Sequence, residues 1–230
     1  MSSSQPEDTV RWYADKVRTY GFDHRGLGFG RKSSQDKRFE AMLALGDLDG
    51  ARVLDVGCGF GDFLAFMNER GIEPAYTGLD ICEPMVERCR ERFPRGAGRF
   101  IVGDVLAFAP DEPYDYVVAS GLFGLDSVGA RERIRPSLER LFGWARIGAA
   151  VNFLSTQSPT PAEARIYVDP CKALEAGLAL TPAARIDHTY LPNDFTLFLY
   201  KTPAWHDGSE SNPGGGIRDD GPGSNFQRNT

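Results

Sequence analysis

Apolar positions along this chain follow two rhythms in turn. In Arg52-Val53-Leu54-Asp55-Val56 the apolar residues Val53, Leu54 and Val56 fall on both faces of an extended chain, the mark of a strand buried on both faces. After the turn Gly57-Cys58-Gly59-Phe60-Gly61, the residues Phe60, Phe63, Leu64 and Met67 fall at helical spacing, and Gly71 is the expected stop. The unit is a strand, a tight turn and a helix, and the rest of the pattern repeats it. Ala75 to Asp80 predicts a second strand, and Pro84 opens a helix lined by Met85, Val86, Cys89 and Phe93. Gly98 to Val102 and Tyr114 to Ser120 predict two more strands. A helix over Gly129 to Trp144, its start delayed by Pro136, leads to a fifth strand at Ala149 to Leu154. Such alternation predicts right-handed βαβ units in a doubly wound, mostly parallel α/β sheet.

The rhythm changes after Ser155. An irregular insertion reaches Ala162, a short helix covers Asp169 to Gly177, and Ala184 to Tyr190 with Phe195 to Tyr200 flank the turn Leu191 to Asp194. These last two runs read as an antiparallel hairpin, bringing the sheet to seven strands. At the other end, Val10, Tyr13, Val17 and Tyr20 share one face of an amphipathic helix. Gly21 to Gly30 reads as a glycine-rich flap carrying Phe22, Leu27 and Phe29, or as a surface loop tucking them onto the core. Ser33 to Asp36 resembles an N-cap ahead of a helix that buries Phe39, Met42 and Leu43. Asp207 to Thr230 is almost devoid of apolar residues and is expected to be disordered. The chain divides into an N-terminal helix and flap (1–35), an α/β domain (36–204) and a tail (205–230).

Composition narrows this picture. A chain of 230 residues, 41% hydrophobic, suits one α/β domain with additions. The net charge of -6, without a basic block, argues against a nucleic-acid or anionic membrane partner. Neither a leader-like N-terminus nor a long apolar run is present, so a soluble, cytoplasmic protein is expected. Cys58, Cys82, Cys89 and Cys171 form no CxxC pair and the histidines are scattered, so reduced thiols and no metal are expected.

The candidate chemistry lies at strand ends. A dinucleotide fingerprint needs a further glycine where Asp62 stands. Asp55, Asp80, Asp104 and Ser120 instead close the ends of adjacent strands on one edge of the sheet, though each alone serves equally as a cap or turn residue.

Through Val53-Leu-Asp-Val-Gly-Cys-Gly-Phe-Gly61, Thr77-Gly-Leu-Asp80-Ile81, Val102-Gly-Asp104-Val105 and Tyr114-Asp-Tyr-Val-Val118, the chain resembles the class I S-adenosylmethionine-dependent methyltransferases over residues 36–201. The resemblance implies their Rossmann-like fold, with the last strand inserted between the fifth and the sixth. It implies that Gly57 and Gly59, in the turn with Asp55 and Cys58, lie against the homocysteine portion of S-adenosylmethionine. Asp80, followed by Ile81, would take the ribose hydroxyls, and Asp104 with Val105 the adenine. The chemistry agrees: a carboxylate accepts from both hydroxyls of a ribose diol. The acids at 55, 80 and 104 would repel phosphate and suit a phosphate-free sulfonium.

The expected reaction is methyl transfer to a small-molecule acceptor. Its alternative is a lyase or cyclase that releases methylthioadenosine from the same cofactor. Arg38 is the candidate for the cofactor's carboxylate, with a solvated helix face as its alternative. His188, Tyr190 and Asp194 around the final turn, and Asn152 near the end of the fifth strand, are candidates for deprotonating or orienting the acceptor. Tyr13, Tyr20, Phe22 and Phe29 are candidates for walling its pocket, with core packing as the alternative. The acceptor and the oligomeric state are left open by the sequence.

Overall fold

Strand β1 (Arg52–Val56) is buried from its second residue onward, and its side chains alternate between two hydrophobic cores. Val53 packs in one core with Phe39, Met42, Phe63 and Met67; Leu54 and Val56 pack in another with Leu79, Val117, Leu138 and Leu141. Burial on both faces requires helices on both faces. The computed structural model, which describes residues 5–21, 23 and 32–203, supplies them. Helices α1 (Gln5–Tyr20) and α2 (Lys32–Leu43) precede β1, and α3 (Asp62–Asn68) leads from it to β2 (Ala75–Asp80). Next come α4 (Glu83–Arg92), β3 (Arg99–Val102), β4 (Tyr114–Ala119), α5 (Ala130–Trp144) and β5 (Ala145–Ser155). The chain continues through β6 (Tyr167–Val168), α6 (Pro170–Leu178), β7 (Ala184–Leu191) and β8 (Asp194–Tyr200).

The strand order is β3-β2-β1-β4-β5-β8-β7, with β6 pairing to β5. Strands β1 to β5 are parallel, whereas β8 runs antiparallel to both β5 and β7. This is the expected doubly wound sheet with its C-terminal hairpin, the last strand inserted beside β5. The addition is β6, whose two residues pair with Leu154 and Ser155 and are too few to carry a periodic signal. Because β1 has β2 on one side and β4 on the other, the sheet order reverses there and the carboxyl ends open a crevice.

Local departures from the sequence pattern have packing causes. Helix α2 begins at Lys32, so Ser33 lies inside it rather than capping it, because Gln35, Arg38, Phe39 and Met42 form one continuous buried face. Pro136 sits within α5 without delaying it. It forfeits one backbone hydrogen bond, while Ser137, Leu138 and Leu141 are buried on the sheet side of the helix. Strand β5 begins at Ala145, directly on leaving α5. Apart from Gly21 and Asp23, the flap expected over residues 21–30 lies outside the described residues, as does the tail expected from 207. Among the described residues, no helix is long and apolar enough to cross a membrane.

Candidate active site

The turn after β1 folds back onto β2. Gly57 and Cys58 both donate their N–H to the Leu79 carbonyl, at 2.7 and 3.2 Å. Gly57 has φ +77°, and a Cβ there would lie 3.1 Å from Leu122; Gly61 has φ +72°, with Phe93 at 2.6 Å from the same imagined atom. Both positions require glycine. Gly59 N–H donates to Asp80 Oδ2 and Cys82 N–H to Asp80 Oδ1, each at 2.8 Å. Asp80 therefore holds the turn to the end of β2 while keeping further lone pairs on both oxygens. Burial pushes its pKa up, and the N–H groups of Cys82, Gly59 and Ile81 pull it down.

Asp55 is 3% exposed and accepts a hydrogen bond from the Tyr76 hydroxyl at 2.6 Å. Its pKa is raised to about 7, first by burial and then by Asp80 and Asp62, against the lowering effect of Tyr76. Asp104 accepts from Leu106 N–H at 2.8 Å and pairs with Arg133 of α5. The Ser120 hydroxyl is buried and has no partner among the described residues.

These strand-end residues surround one cavity. Asp55, Gly57, Cys58, Gly59, Asp80, Ile81, Asp104, Val105 and Ser120 all line it, so the positions singled out on the sheet edge come together in space. Arg38 does not line it: its Nε and Nη2 donate to the two oxygens of Asp194, at 2.8 and 2.9 Å. The rest of the lining comes from residues that sequence reasoning left out: Gln35 of α2, Leu122, Phe123 and Leu125 beyond β4, Arg133 and Ser137 of α5, and Ile166. Gln35 had a signal, since residues 35, 38, 39 and 42 share one helical face. The others depend on where the loops run. Helix α1 closes the top: Tyr13 and Val17 pack on Phe60, Cys82 and Met85, and the Thr9 and Ser127 hydroxyls are 3.3 Å apart. Tyr13 lines the cavity, its hydroxyl pushed up to about 12 by burial and then by Asp80, with Arg165 opposing. Tyr20 is 40% exposed and stands away from it, and Phe22 and Phe29 lie outside the described residues.

The residues considered for base chemistry meet elsewhere. Asn152 donates through Nδ2 to the Tyr190 hydroxyl, Asp194 Oδ1 and the Phe195 carbonyl, at 2.9, 3.2 and 3.2 Å. Tyr190 also shares a 2.9 Å hydrogen bond with Thr196, and burial pushes its pKa up. With Arg38, these groups form a buried polar network joining α2 to β5, β7 and β8. The hairpin turn does open at the carboxyl edge, since Asp194 pairs with Leu154, but these side chains do not line the cavity. His188 meets Phe195 edge-on at 6.0 Å, and its Nε2 is buried without a partner among the described residues. It too lies outside the cavity wall.

The residues fit an adenosyl group with an amino-acid arm. Gln35 Oε1, Ser120 Oγ and Ser137 Oγ are buried polar atoms without protein partners, and all belong to residues of this one cavity. They are joined there by the carboxyl groups of Asp55 and Asp80. Fold and site together define a Rossmann-like protein for a nucleoside cofactor. Comparison with known proteins makes this specific. Residues 53–141 match the family model described as a methyltransferase domain. The putative methyltransferase Rv1506c of Mycobacterium tuberculosis is 29% identical over 167 residues, 70% of this chain and 99% of that protein. The fatty-acid O-methyltransferase of Mycolicibacterium smegmatis is 37% identical over 83 residues, 35% of this chain and 30% of that protein. Magnesium protoporphyrin IX methyltransferase from Synechocystis PCC 6803, crystallised with bound S-adenosylmethionine, superposes with a TM-score of 0.62 at 18% identity. That match covers 88% of this chain and 100% of that one. These matches support a class I S-adenosylmethionine-dependent methyltransferase. Its methyl donor is S-adenosylmethionine.

Proposed function

We propose that this methyltransferase acts on a small molecule with an apolar body. The observation that carries this reading is the cavity's mixed lining. Beside the acids Asp55, Asp62 and Asp80 it presents the apolar side chains of Phe39, Phe63, Leu122, Phe123, Leu125 and Ile166. When bound, S-adenosylmethionine supplies an electrophilic methyl carbon on a positively charged sulfur. The chain's own contribution is positioning. The glycine turn and Asp80 fix the nucleoside end, the acidic residues favour a cation, and α1 with Tyr13 keeps water from the chamber. The apolar part of the lining holds the acceptor's body, in keeping with a relative named as a fatty-acid O-methyltransferase.

The test is incubation with methyl-labelled S-adenosylmethionine and a metabolite pool, followed by mass spectrometry. The reading predicts label in a product retained by apolar chromatography, formed together with S-adenosylhomocysteine. Methylthioadenosine released without an acceptor would contradict it and indicate the lyase or cyclase reaction. Label confined to polar metabolites would contradict the apolar acceptor alone.

A further inference from the structure

Gln35 is 1% exposed, on the same face of α2 as Phe39, and no sequence motif marks it. Its amide has one allowed orientation. Nε2 lies 3.2 Å from Asp62 Oδ2, and a carboxylate oxygen only accepts, so the amide N–H must face it. Asp62 is itself held, by Arg92 Nη1 at 2.6 Å from its other oxygen. Gln35 Oε1 is therefore turned away from Asp62, and it is buried with no donor among the described residues. Buried acceptors are almost always satisfied, so this one is built for a group the protein does not supply.

Its surroundings say which group. Gln35, Asp62, Asp55 and Gly57 line the cavity together, at the end where the glycine turn lies. Asp62 is close enough to Asp55 to raise its pKa, so the Gln35–Asp62 pair lies within electrostatic reach of the Asp55 carboxyl in the same cavity. This corner offers carboxylate and amide oxygens, which is the requirement of a cation bearing several N–H donors.

We infer that Gln35 Oε1 accepts a hydrogen bond from the α-ammonium of the cofactor's methionine arm, sharing that group with Asp55. The inference rests on S-adenosylmethionine being the cofactor, and it gives the arm a holder on α2 one turn before Arg38, whose guanidinium is engaged with Asp194. Gln35 is thus a cofactor-positioning residue supplied from outside the sheet, and it sets the direction in which the arm, and with it the sulfur, leaves the turn.

Calorimetric titration with two ligands tests this. S-adenosylhomocysteine carries the ammonium; 5′-methylthioadenosine keeps the nucleoside and the thioether but lacks the arm. In Gln35→Leu and in Gln35→Met, affinity for S-adenosylhomocysteine should fall by about tenfold or more, as for a lost hydrogen bond to a charged group. Affinity for 5′-methylthioadenosine should stay at the wild-type value, which also reports an intact fold. An equal loss for both ligands in both variants would overturn the inference by making Gln35 a packing residue. Unchanged S-adenosylhomocysteine affinity with a raised KM for the acceptor would overturn it by turning the amide to the other substrate. Failure of the wild-type protein to bind either ligand would instead remove the cofactor assignment on which the inference stands.

Discussion

Asp55 shows how a single residue couples fold and chemistry. A free aspartate titrates near 4, whereas this one, buried at the end of β1, titrates at about 7. Between those two values the folded protein holds a proton that the unfolded chain has released. Stability therefore falls as pH rises from about 4 to about 7, and the full cost of the buried charge is present above that range. The carboxylate is nevertheless retained, and a cationic ligand is the partner that would repay its ionisation. Asp55→Asn keeps an oxygen acceptor for Tyr76 and removes the titration. Ligand-free Asp55→Asn should gain in Tm relative to wild type on going from about pH 5 to about pH 8. Thermal melts at the two pH values decide this, and a difference that is the same at both would contradict it. Cys58 lies in the same turn, and its thiol is pushed well up by contact with Cys89 and by burial, so it packs rather than reacts.

Among the elements, α2 is fastened to the far part of the sheet by charge as well as by Phe39 and Met42. Arg38 and Asp194 have side chains 7% and 0% exposed, and Asn152 and Asn193 add donors to the same carboxylate. Removing one member strands a buried charge. Arg38→Ala or Asp194→Ala should each destabilise the protein by about 3–5 kcal/mol, while Arg38→Met with Asp194→Leu recovers much of the loss. Denaturant unfolding measures both, and a single-variant cost below about 1 kcal/mol, the range of an exposed pair, would contradict the buried-pair account. Helix α1 is attached more lightly, through Tyr13 and Val17 on Phe60, Cys82 and Met85 and through the Thr9–Ser127 hydroxyl contact. We expect Tyr13→Ala to loosen this cover and raise the dissociation rate of S-adenosylhomocysteine by about tenfold. Stopped-flow measurement reads that rate, and an unchanged rate would show that α1 does not cover the ligand.

At the scale of the molecule, what could be read from sequence depended on how local the cause was. β2 was legible to its boundaries because an apolar run, a proline and a strand-closing acid all act within a few residues. The edge of strand ends was legible because parallel topology sends successive strand ends to one side, and their residues line one cavity in the structure. The length of α5 across Pro136 and the pairing of β6 were not, because both depend on contacts with distant parts of the sheet. The same holds for the hairpin. Strand alternation leaves open which face α2 covers, so Asp194 and Tyr190, candidates for acceptor chemistry in the sequence, belong to a buried network around Arg38. Gln35 is the converse case: an ordinary helix residue in sequence, a cavity wall in space.

The central claim is that the edge formed by the glycine turn and Asp80 holds the nucleoside of S-adenosylmethionine. Calorimetric titration of S-adenosylhomocysteine into the wild-type protein and into Asp80→Ala tests it most directly. The account predicts one site per chain in the wild type, with affinity lower by about tenfold or more in the variant. The absence of wild-type binding, or equal affinity in the two proteins, would contradict it.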